Sequence, residues 1–387
     1  MIKLNDYKNI RKNNQTYSKI TYLNTAAFGP MPRIAFLQQL WHLYKQSKQA
    51  LPTTAASFKQ INDMELEVNS QMAEFFDCNG EDIILNQGIT ESIYFALNNI
   101  VDIHEAEIVI PEYEFSSLLI ALQNFREQHN LKITVIPLQQ SRENFIKAFK
   151  AAITRKTALV MMSHVNYLFG KILPLAEIIE HASKFDVPVF VDGAQAAGAV
   201  DFSLSKQRPS YYAGTFVKWL HGPVGHGFLY IDKQQHKKIK NYMPGRRACE
   251  NQATIFSLSD EPKYNQWARK AEASTYNFNN LFFLNMCLKN QLEHSLKARI
   301  DYVSRLRKML VELLKQKSNL IVHDETDWDY AGIITIGSEK SLSSLYEKLL
   351  RHKIITKYFP KPNLLRISLC YLNNSDDVYR ICKVLDL

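Results

Sequence analysis

The middle of the chain alternates short apolar runs with stretches of helical periodicity. The apolar runs, each a predicted strand, cover residues 108–110, 133–136, 157–165 and 187–191. Apolar positions recur at helical spacing between them, in residues 116–125 and 175–185. Strands that alternate with helices in this way predict βαβ units, and therefore a mostly parallel sheet with helices on both faces.

A second, smaller alternation follows toward the end of the chain. Residues 280–317 predict helix throughout, and the elements after them are a strand at 333–336, a helix at 341–351 and a strand at 364–369. A last helix is predicted to begin near Ser375, with Asp376 and Asp377 in its first turn, where carboxylates complement the helix dipole. This pattern is typical of a compact α+β second domain.

Length and composition agree with a two-domain soluble protein. The chain has 387 residues, of which 46% are hydrophobic and 22% charged, and a domain averages roughly 150 residues. No stretch approaches the roughly 18 consecutive apolar residues of a membrane span. Residues 1–15 are polar and lack the apolar core of a signal peptide. We therefore expect a cytoplasmic protein that has no membrane partner.

Charge and cysteine usage narrow the class of function further. The net charge is +9 at pH 7, but the basic residues are spread out and their densest runs are short, so we expect no nucleic-acid partner. The cysteines are five in number, scattered and never in a C-x-x-C pair, which argues against a disulfide framework and a structural zinc site. We predict no metal. The cysteines are Cys78, Cys249, Cys287, Cys370 and Cys382.

Candidate chemistry lies at the ends of the predicted strands, because ligands of such sheets bind beyond the carboxyl ends of the strands. Asp192 follows the apolar strand and precedes a run of small residues, 193–198. A carboxylate there is costly unless a cation meets it. Two interpretations stay open for Asp192: a helix N-cap, or a counter-ion for a protonated ring nitrogen.

Lys218 is the second candidate. It stands among Phe216, Val217, Trp219 and Leu220, ahead of a stretch that carries three glycines, residues 222–227. Burial lowers the pKa of a lysine and frees its amine to form Schiff bases with carbonyls. The alternative is a surface lysine with a buried stem. The glycines favour the first interpretation because they let backbone pass close to a ligand.

Five segments, in chain order, resemble the class V aminotransferase family of fold-type I pyridoxal 5'-phosphate (PLP) enzymes. That family includes cysteine desulfurases, kynureninase and isopenicillin N epimerase-like proteins. The segments are Tyr22–Pro30, Gly88–Ser92, Val191–Gln195, Lys218–Pro223 and Arg366–Ser368. The resemblance implies an α/β fold: a large PLP-binding domain with a mostly parallel sheet of the seven-stranded type, and a smaller C-terminal α+β domain. The large domain would span residues 18–284 and the small one 285–387, with residues 1–17 packing against the small domain.

The resemblance also implies roles for the strand-end residues. Lys218 would hold PLP as an internal aldimine and then move the proton at the α-carbon of the substrate. Asp192 would keep the pyridine nitrogen protonated, so that the ring acts as an electron sink. Gln195 would hydrogen-bond near the phenolic oxygen of the cofactor or the aldimine.

Further contacts are implied for the phosphate, the ring and the substrate. Ile89 and Thr90, at the start of a helix, would hold the phosphate, although Thr90 can equally be a simple cap. Phe115 would stack on the ring or else be an ordinary core residue. The remaining implied contacts are Tyr167 to the cofactor, Thr215 to the phosphate, Thr275 to the phosphate of the partner subunit, and Asn24 and Arg366 to the substrate, with Arg366 gripping its carboxylate. A contact through Thr275 requires a homodimer with active sites at the interface.

Three departures from the family pattern refine the prediction. Val217 stands where many relatives have a histidine before the lysine, and His221 or His226 would have to compensate. Tyr167 ahead of Gly170 is closer to the epimerase-like branch. Residues 356–363, where a desulfurase carries its nucleophilic cysteine on a mobile loop, contain none.

The sequence therefore predicts a PLP-dependent enzyme that acts on the amino group or α-carbon of a small amino-acid-like substrate. Its reaction would be that of an aminotransferase or an isopenicillin N epimerase-like enzyme. A PLP-dependent β-lyase of the C–S lyase type is the alternative, followed by a catalytically silent dimeric relative.

Overall fold

Strands and helices alternate through most of the chain, in a computed structural model that describes residues 19–48, 55–100, 104–240, 243–273 and 277–386. The predicted segment 1–17 and Thr275 lie outside these residues. The strands are β1 Thr21–Tyr22, β2 Ile83–Asn86, β3 Glu107–Pro111, β4 Lys132–Ile136, β5 Thr157–Ser163, β6 Val189–Asp192, β7 Tyr211–Thr215, β8 Gly227–Ile231, β9 Ile321–His323, β10 Ile333–Gly337, β11 Ile354–Ile355, β12 Lys357–Phe359 and β13 Leu364–Ser368. The α-helices are α1 Arg33–Lys48, α2 Ala55–Phe76, α3 Ile89–Asn98, α4 Ser116–His129, α5 Arg142–Ala152, α6 Leu175–Ser183, α7 Leu204–Gln207, α8 Lys233–His236, α9 Asn279–Leu292, α10 Leu296–Leu314, α11 Ser343–Arg351 and α12 Ser375–Val384.

Seven of the strands form one sheet in the order β2-β8-β7-β6-β5-β3-β4. Strand β8 runs antiparallel to both of its neighbours, and the other neighbouring pairs are parallel. The predicted mostly parallel sheet is thus confirmed. Asp192 at the end of β6 pairs with Ser163 of β5 and with Ala213 of β7. The register therefore brings the ends of three neighbouring strands to one edge of the sheet.

The central strands are apolar without interruption because both faces of the sheet are covered. Val160, Met162 and Val191 pack into the core on one face. Their neighbours in sequence, Met161 and Phe190, pack into a separate core on the opposite face. Period-2 alternation is therefore absent from β5 and β6, and the continuous runs in the sequence are their signature.

A four-stranded antiparallel sheet, in the order β12-β13-β10-β9, forms the centre of the C-terminal α+β unit. Residues of α10 and α12, among them Leu310 and Ile381, pack with its strands in one core. The last helix begins at Ser375 as predicted, and Asn374 and Asp377 form a capping box there. Among the described residues, no helix combines the length and apolarity that crossing a bilayer demands.

Two details of the C-terminal region differ from the sequence prediction. Residues 280–317 are not one helix, because residues 293–295 separate α9 from α10, and the Ser295 side chain accepts a hydrogen bond from the Ala298 N–H. Residues 356–363, interpreted as a loop, contain β12, which pairs with β13. Strand β1 pairs with β11, so residues 21–22 join the C-terminal unit through their backbone. The domain boundaries themselves stay a prediction.

Candidate active site

The strand ends open onto a cavity of about 960 Å³. Its walls come from the loop after β6, the end of β7, the start of α3, and strands β12 and β13 of the smaller sheet. Asp192, the last residue of β6, is not in the described lining. Predicted site residues in the lining are Ile89, Thr90, Phe115, Tyr167, Gln195, Thr215, Lys218 and Arg366. The structure thus brings together side chains that lie as far apart in sequence as Ile89 and Arg366.

The Lys218 amine lies in the cavity, 5.4 Å from the centroid of the Phe115 ring. Burial lowers the pKa of Lys218 to about 8, with Asp192 opposing this shift and the positive charge of Arg366 adding to it. The Lys218 side chain is half-buried, and its amine is neutral far more often than that of a solvated lysine.

Asp192 is buried, and its carboxylate accepts a hydrogen bond of 2.8 Å from the Ala194 N–H. Burial raises the pKa of Asp192, and the charge of Lys218 opposes that rise. The two side chains thus act on each other electrostatically. In the described range 104–240, no helix begins directly after Asp192, because residues 194–196 form a turn and the next helix, α7, begins only at Leu204. The helix N-cap interpretation is therefore wrong, and the counter-ion interpretation stays a prediction.

Glu114 is a buried carboxyl group near Asp192 that the sequence analysis missed. It accepts hydrogen bonds from the Ser163 N–H at 2.7 Å and the Ser163 hydroxyl at 2.9 Å. Burial, together with the charge of Asp192, raises the pKa of Glu114 to about 8. Its position three residues after Pro111, the last residue of β3, was the signal available in the sequence.

The Gln195 amide is held by two protein groups. Its Nε2 donates to the Ala26 carbonyl at 2.9 Å, and its Oε1 accepts from the Trp219 indole N–H at 2.8 Å. One Nε2 hydrogen therefore remains for a ligand in the cavity. That hydrogen could make the predicted contact of Gln195 with the phenolic oxygen of a cofactor.

The start of α3 has the form of an anion site. Gly88 precedes the helix with φ +144°, and a Cβ atom there would meet nothing within 4 Å. The first N–H groups of the helix, which include those of Ile89 and Thr90, have no hydrogen-bond acceptor within the helix. Thr215 lines the same cavity, but its hydroxyl donates to the His226 carbonyl at 3.3 Å. That hydroxyl must rotate before it can serve a phosphate.

Arg366 on β13 is a buried guanidinium with unused donor capacity. One Nη1 hydrogen bond goes to the Tyr167 carbonyl at 2.7 Å, while Nε is buried without a partner. No carboxylate of the described residues forms an ion pair with Arg366. Burial lowers the pKa of Arg366 to about 10. A buried cation of this kind, in the wall of a cavity, can bind an anion.

Other predicted residues lie around the cavity rather than in its wall. Asn24 bridges to Ser368 of β13, and its buried Oδ1 has no partner. His221 and His226 are buried and are absent from the described lining, with the His221 ring bonded to the Pro30 carbonyl. Neither ring therefore takes the place of the histidine that Val217 replaces. No cysteine of the described residues lines the cavity.

The N-terminal segment Tyr22–Pro30 joins the two halves of the site. Ala26 donates its N–H to the Ser368 hydroxyl at 3.0 Å and accepts from Gln195. Gly29 donates to the Val217 carbonyl at 2.6 Å, and a Cβ atom at Gly29 would lie 1.9 Å from the Lys218 carbonyl oxygen. Only glycine permits this approach of the two backbones.

The family model described as aminotransferase class-V matches residues 21–381, nearly the whole chain.

The chain belongs to the class V aminotransferase family.

Relatives in this family have several activities. The chain is 23% identical to the probable cysteine desulfurase of Mycoplasma genitalium, over 82% of this chain and 80% of that protein. It is 26% identical to the isopenicillin N epimerase of Amycolatopsis lactamdurans, over 56% of this chain and 55% of that protein. The solved complex between the cystine C–S lyase C-DES and its product cysteine persulfide has a TM-score of 0.87 at 21% identity, covering 96% of this chain and 98% of that one. The fold and family predictions are confirmed.

Class V aminotransferases depend on PLP, and PLP is the cofactor of this protein. The residues present fit that group. The Lys218 amine, whose pKa is lowered, fits the aldehyde of PLP. The buried Asp192 carboxylate, which interacts with that amine, fits the ring nitrogen. The open space in front of the helix start at Gly88 fits the phosphate.

We predict that Gly88→Ala weakens PLP binding about tenfold. The methyl group would fill the open space before α3, and alanine is strained at a φ of +144°. Titration of the apoprotein with PLP, followed by absorbance, measures the dissociation constant. Pyridoxal, which lacks the phosphate, is the control ligand. An equal loss of affinity for both ligands would show that Gly88 has no particular role toward the phosphate.

Proposed function

We propose that this protein holds PLP through the Lys218 amine and uses it to act on the amino group or α-carbon of an amino-acid-like substrate. The observation that carries the proposal is that one cavity contains two basic side chains, the half-buried Lys218 and the buried Arg366. Lys218 has a pKa lowered to about 8 and supplies the amine, while Arg366, without a carboxylate partner among the described residues, supplies a receptor for a substrate carboxylate.

Each residue then has a defined task. PLP, when bound, supplies a ring that accepts negative charge developing at the α-carbon. Asp192 would hold a proton on the ring nitrogen, and the buried setting strengthens that charge pair. The Lys218 amine, once released from the cofactor, would take up the α-proton, because a pKa near 8 suits a general base at neutral pH. Arg366 would orient the substrate through its carboxylate.

The aromatic walls would limit access of water to the reacting atoms. The Phe115 ring lies edge-on to Tyr167 with centroids 5.4 Å apart, and Tyr167 lies edge-on to Phe359 at 6.3 Å. These rings, with the Lys218 amine over Phe115, surround the position where the α-carbon would react. Aminotransferase and epimerase-like outcomes both use this arrangement.

A β-lyase of the C–S lyase type is the second candidate. The absence of cysteine from the described lining supports it over a desulfurase, because persulfide formation needs a thiolate at the substrate. Burial raises the pKa of Cys78 to about 12 and that of Cys382 to about 11, so these thiols stay protonated. One protein of similar fold is a cystine C–S lyase.

We also propose a homodimer that works in the cytoplasm. Helix α1 exposes a row of large apolar side chains, with Ile34 at 52% and Trp41 at 57% of their surface accessible, as expected of a face that another subunit covers. Thr275 would contact the phosphate of the partner subunit. Sedimentation velocity of the PLP-loaded protein tests the dimer.

An absorbance spectrum of the PLP-loaded protein during a screen of L- and D-amino acids tests the proposed activity. We expect a visible band that active substrates perturb. Keto-acid formation would identify an aminotransferase, inversion an epimerase, and release of pyruvate with sulfide or persulfide a lyase. A protein that stays colourless after PLP addition would refute the proposal and favour a catalytically silent relative.

A further inference from the structure

Lys357 is a second cation in the cavity wall, and the sequence analysis did not identify it. It lies on strand β12, directly opposite Arg366 of β13 in the antiparallel register. Residues directly opposite each other in such a pair project to the same face of the sheet. Both side chains line the cavity. The small sheet therefore presents two positive charges side by side toward the place where a substrate would bind.

These two charges are not neutralised within the described part of the chain. Neither Lys357 nor Arg366 forms an ion pair there. Glu91 is the one carboxylate among the described lining residues, and its Oε2 accepts from the Gln87 N–H beside α3. Like charges directly across a strand pair destabilise a sheet. An arrangement of this kind is favourable when anionic groups of a ligand lie against it.

Phe359 lies close to both cations. It follows Lys357 by two residues and so lies on the same face of β12. The Lys357 amine is 5.7 Å from the centroid of the Phe359 ring, and the Arg366 guanidinium carbon is 5.5 Å from it. The wall thus offers two cations and an apolar ring in one region. A ligand with two anionic groups joined by a short apolar chain matches this combination.

We infer that the substrate is an amino acid with a second anionic group at the end of its side chain. Arg366 binds the α-carboxylate and Lys357 binds the distal carboxylate or a similar anion, with the connecting methylene groups against Phe359. The inference rests on the proposed function, because it assigns the α-carboxylate to Arg366. It does not depend on which reaction follows at the α-carbon.

Calorimetric titration of the PLP-loaded protein tests the inference. The ligands are the pairs L-aspartate with L-asparagine and L-glutamate with L-glutamine, together with L-2-aminoadipate for a longer side chain. We expect at least one acidic member to bind about fivefold or more tightly than its amide, a difference typical of a partly exposed charge contact. In Lys357→Gln that preference disappears while affinity for the amide stays the same. In Lys357→Glu the amide binds better than the acid.

Lys361→Gln is the matched control. Lys361 is an exposed lysine on the turn after β12 and does not line the cavity, so its replacement should leave the preference intact. Equal affinity for acid and amide in every pair would overturn the inference. So would an equal loss for acid and amide in Lys357→Gln, which would mean that both cations bind one carboxylate. A colourless protein would refute the proposed function and this inference with it, whereas a coloured protein without the preference refutes the inference alone.

Discussion

Replacement of Lys218 by alanine should lower kcat/KM at least about a thousandfold. The variant loses the amine that would hold PLP and the base that would take the α-proton, and general-base catalysis alone contributes roughly 10²–10⁴-fold. Its visible absorbance band should also move toward that of free PLP. Steady-state kinetics on any substrate found in the screen, with a spectrum of each preparation, provide the measurement.

Lys218→Arg distinguishes, in the same experiment, the effect of a positive charge at this position from that of a neutral amine. Arginine retains a positive charge beside Asp192, but it cannot supply a neutral amine at neutral pH. It should therefore be as inactive as the alanine variant. Wild-type turnover in either variant would exclude Lys218 as the residue that carries the reaction.

The lowered pKa of Lys218 gives the apoprotein a characteristic pH dependence. With a pKa of about 8, the neutral amine makes up about a tenth of the population at pH 7. At the ordinary lysine pKa of about 10.4, it would be less than about a thousandth. The rate of PLP incorporation should rise with pH and level off above about 8.

Asp192→Asn should lower kcat about a hundredfold or more. Asparagine has the same shape and its Oδ1 can still accept the hydrogen bond from the Ala194 N–H. It cannot, however, keep a proton on the ring nitrogen by charge, and removing one preorganised electrostatic contact typically costs about 10²–10³-fold in kcat. Steady-state kinetics of the PLP-loaded variant measure the loss.

Two further measurements distinguish a catalytic role of Asp192 from a structural one. The carboxylate raises the pKa of Lys218, so PLP incorporation by the Asn variant should level off at a lower pH than in the wild type. The free energy of unfolding of the apoprotein should not fall, because burial disfavours the Asp192 carboxylate. A destabilised apoprotein with unchanged kcat in the surviving fraction would show that Asp192 serves only the fold. Asp201→Asn, an exposed carboxylate outside the described lining, is the control.

The sequence allowed the sheet and the principal strand-end residues to be predicted, because both depend on local patterns. Continuous apolar runs mark β5 and β6, and a polar residue directly after such a run, as at Asp192, stands where ligands bind. Lys218 and Arg366 were recognisable as ionic side chains among large apolar ones. These signals need no knowledge of which distant segments meet.

The features that were missed depend on contacts between distant segments. The apolar periodicity of residues 280–317 does not show that Ser295 ends one helix and starts the next, because the break lasts only three residues. Strand β12 is too short to give a pattern of its own, and Lys357 becomes part of the site only through its register with Arg366. The hydrogen bonds of the Gln195 amide with Ala26 and Trp219 likewise depend on which distant segments pack together.

The segment Tyr22–Pro30 has a mechanical consequence. It is bonded at one end to the strand that carries Arg366, through Ala26 and Ser368, and at the other to the loop that carries Lys218, through Gly29. The segment therefore connects the strand of the guanidinium to the loop of the amine through two backbone N–H donors, Ala26 and Gly29. The relative position of the two basic groups is thus set by a short stretch of backbone in addition to the two sheets.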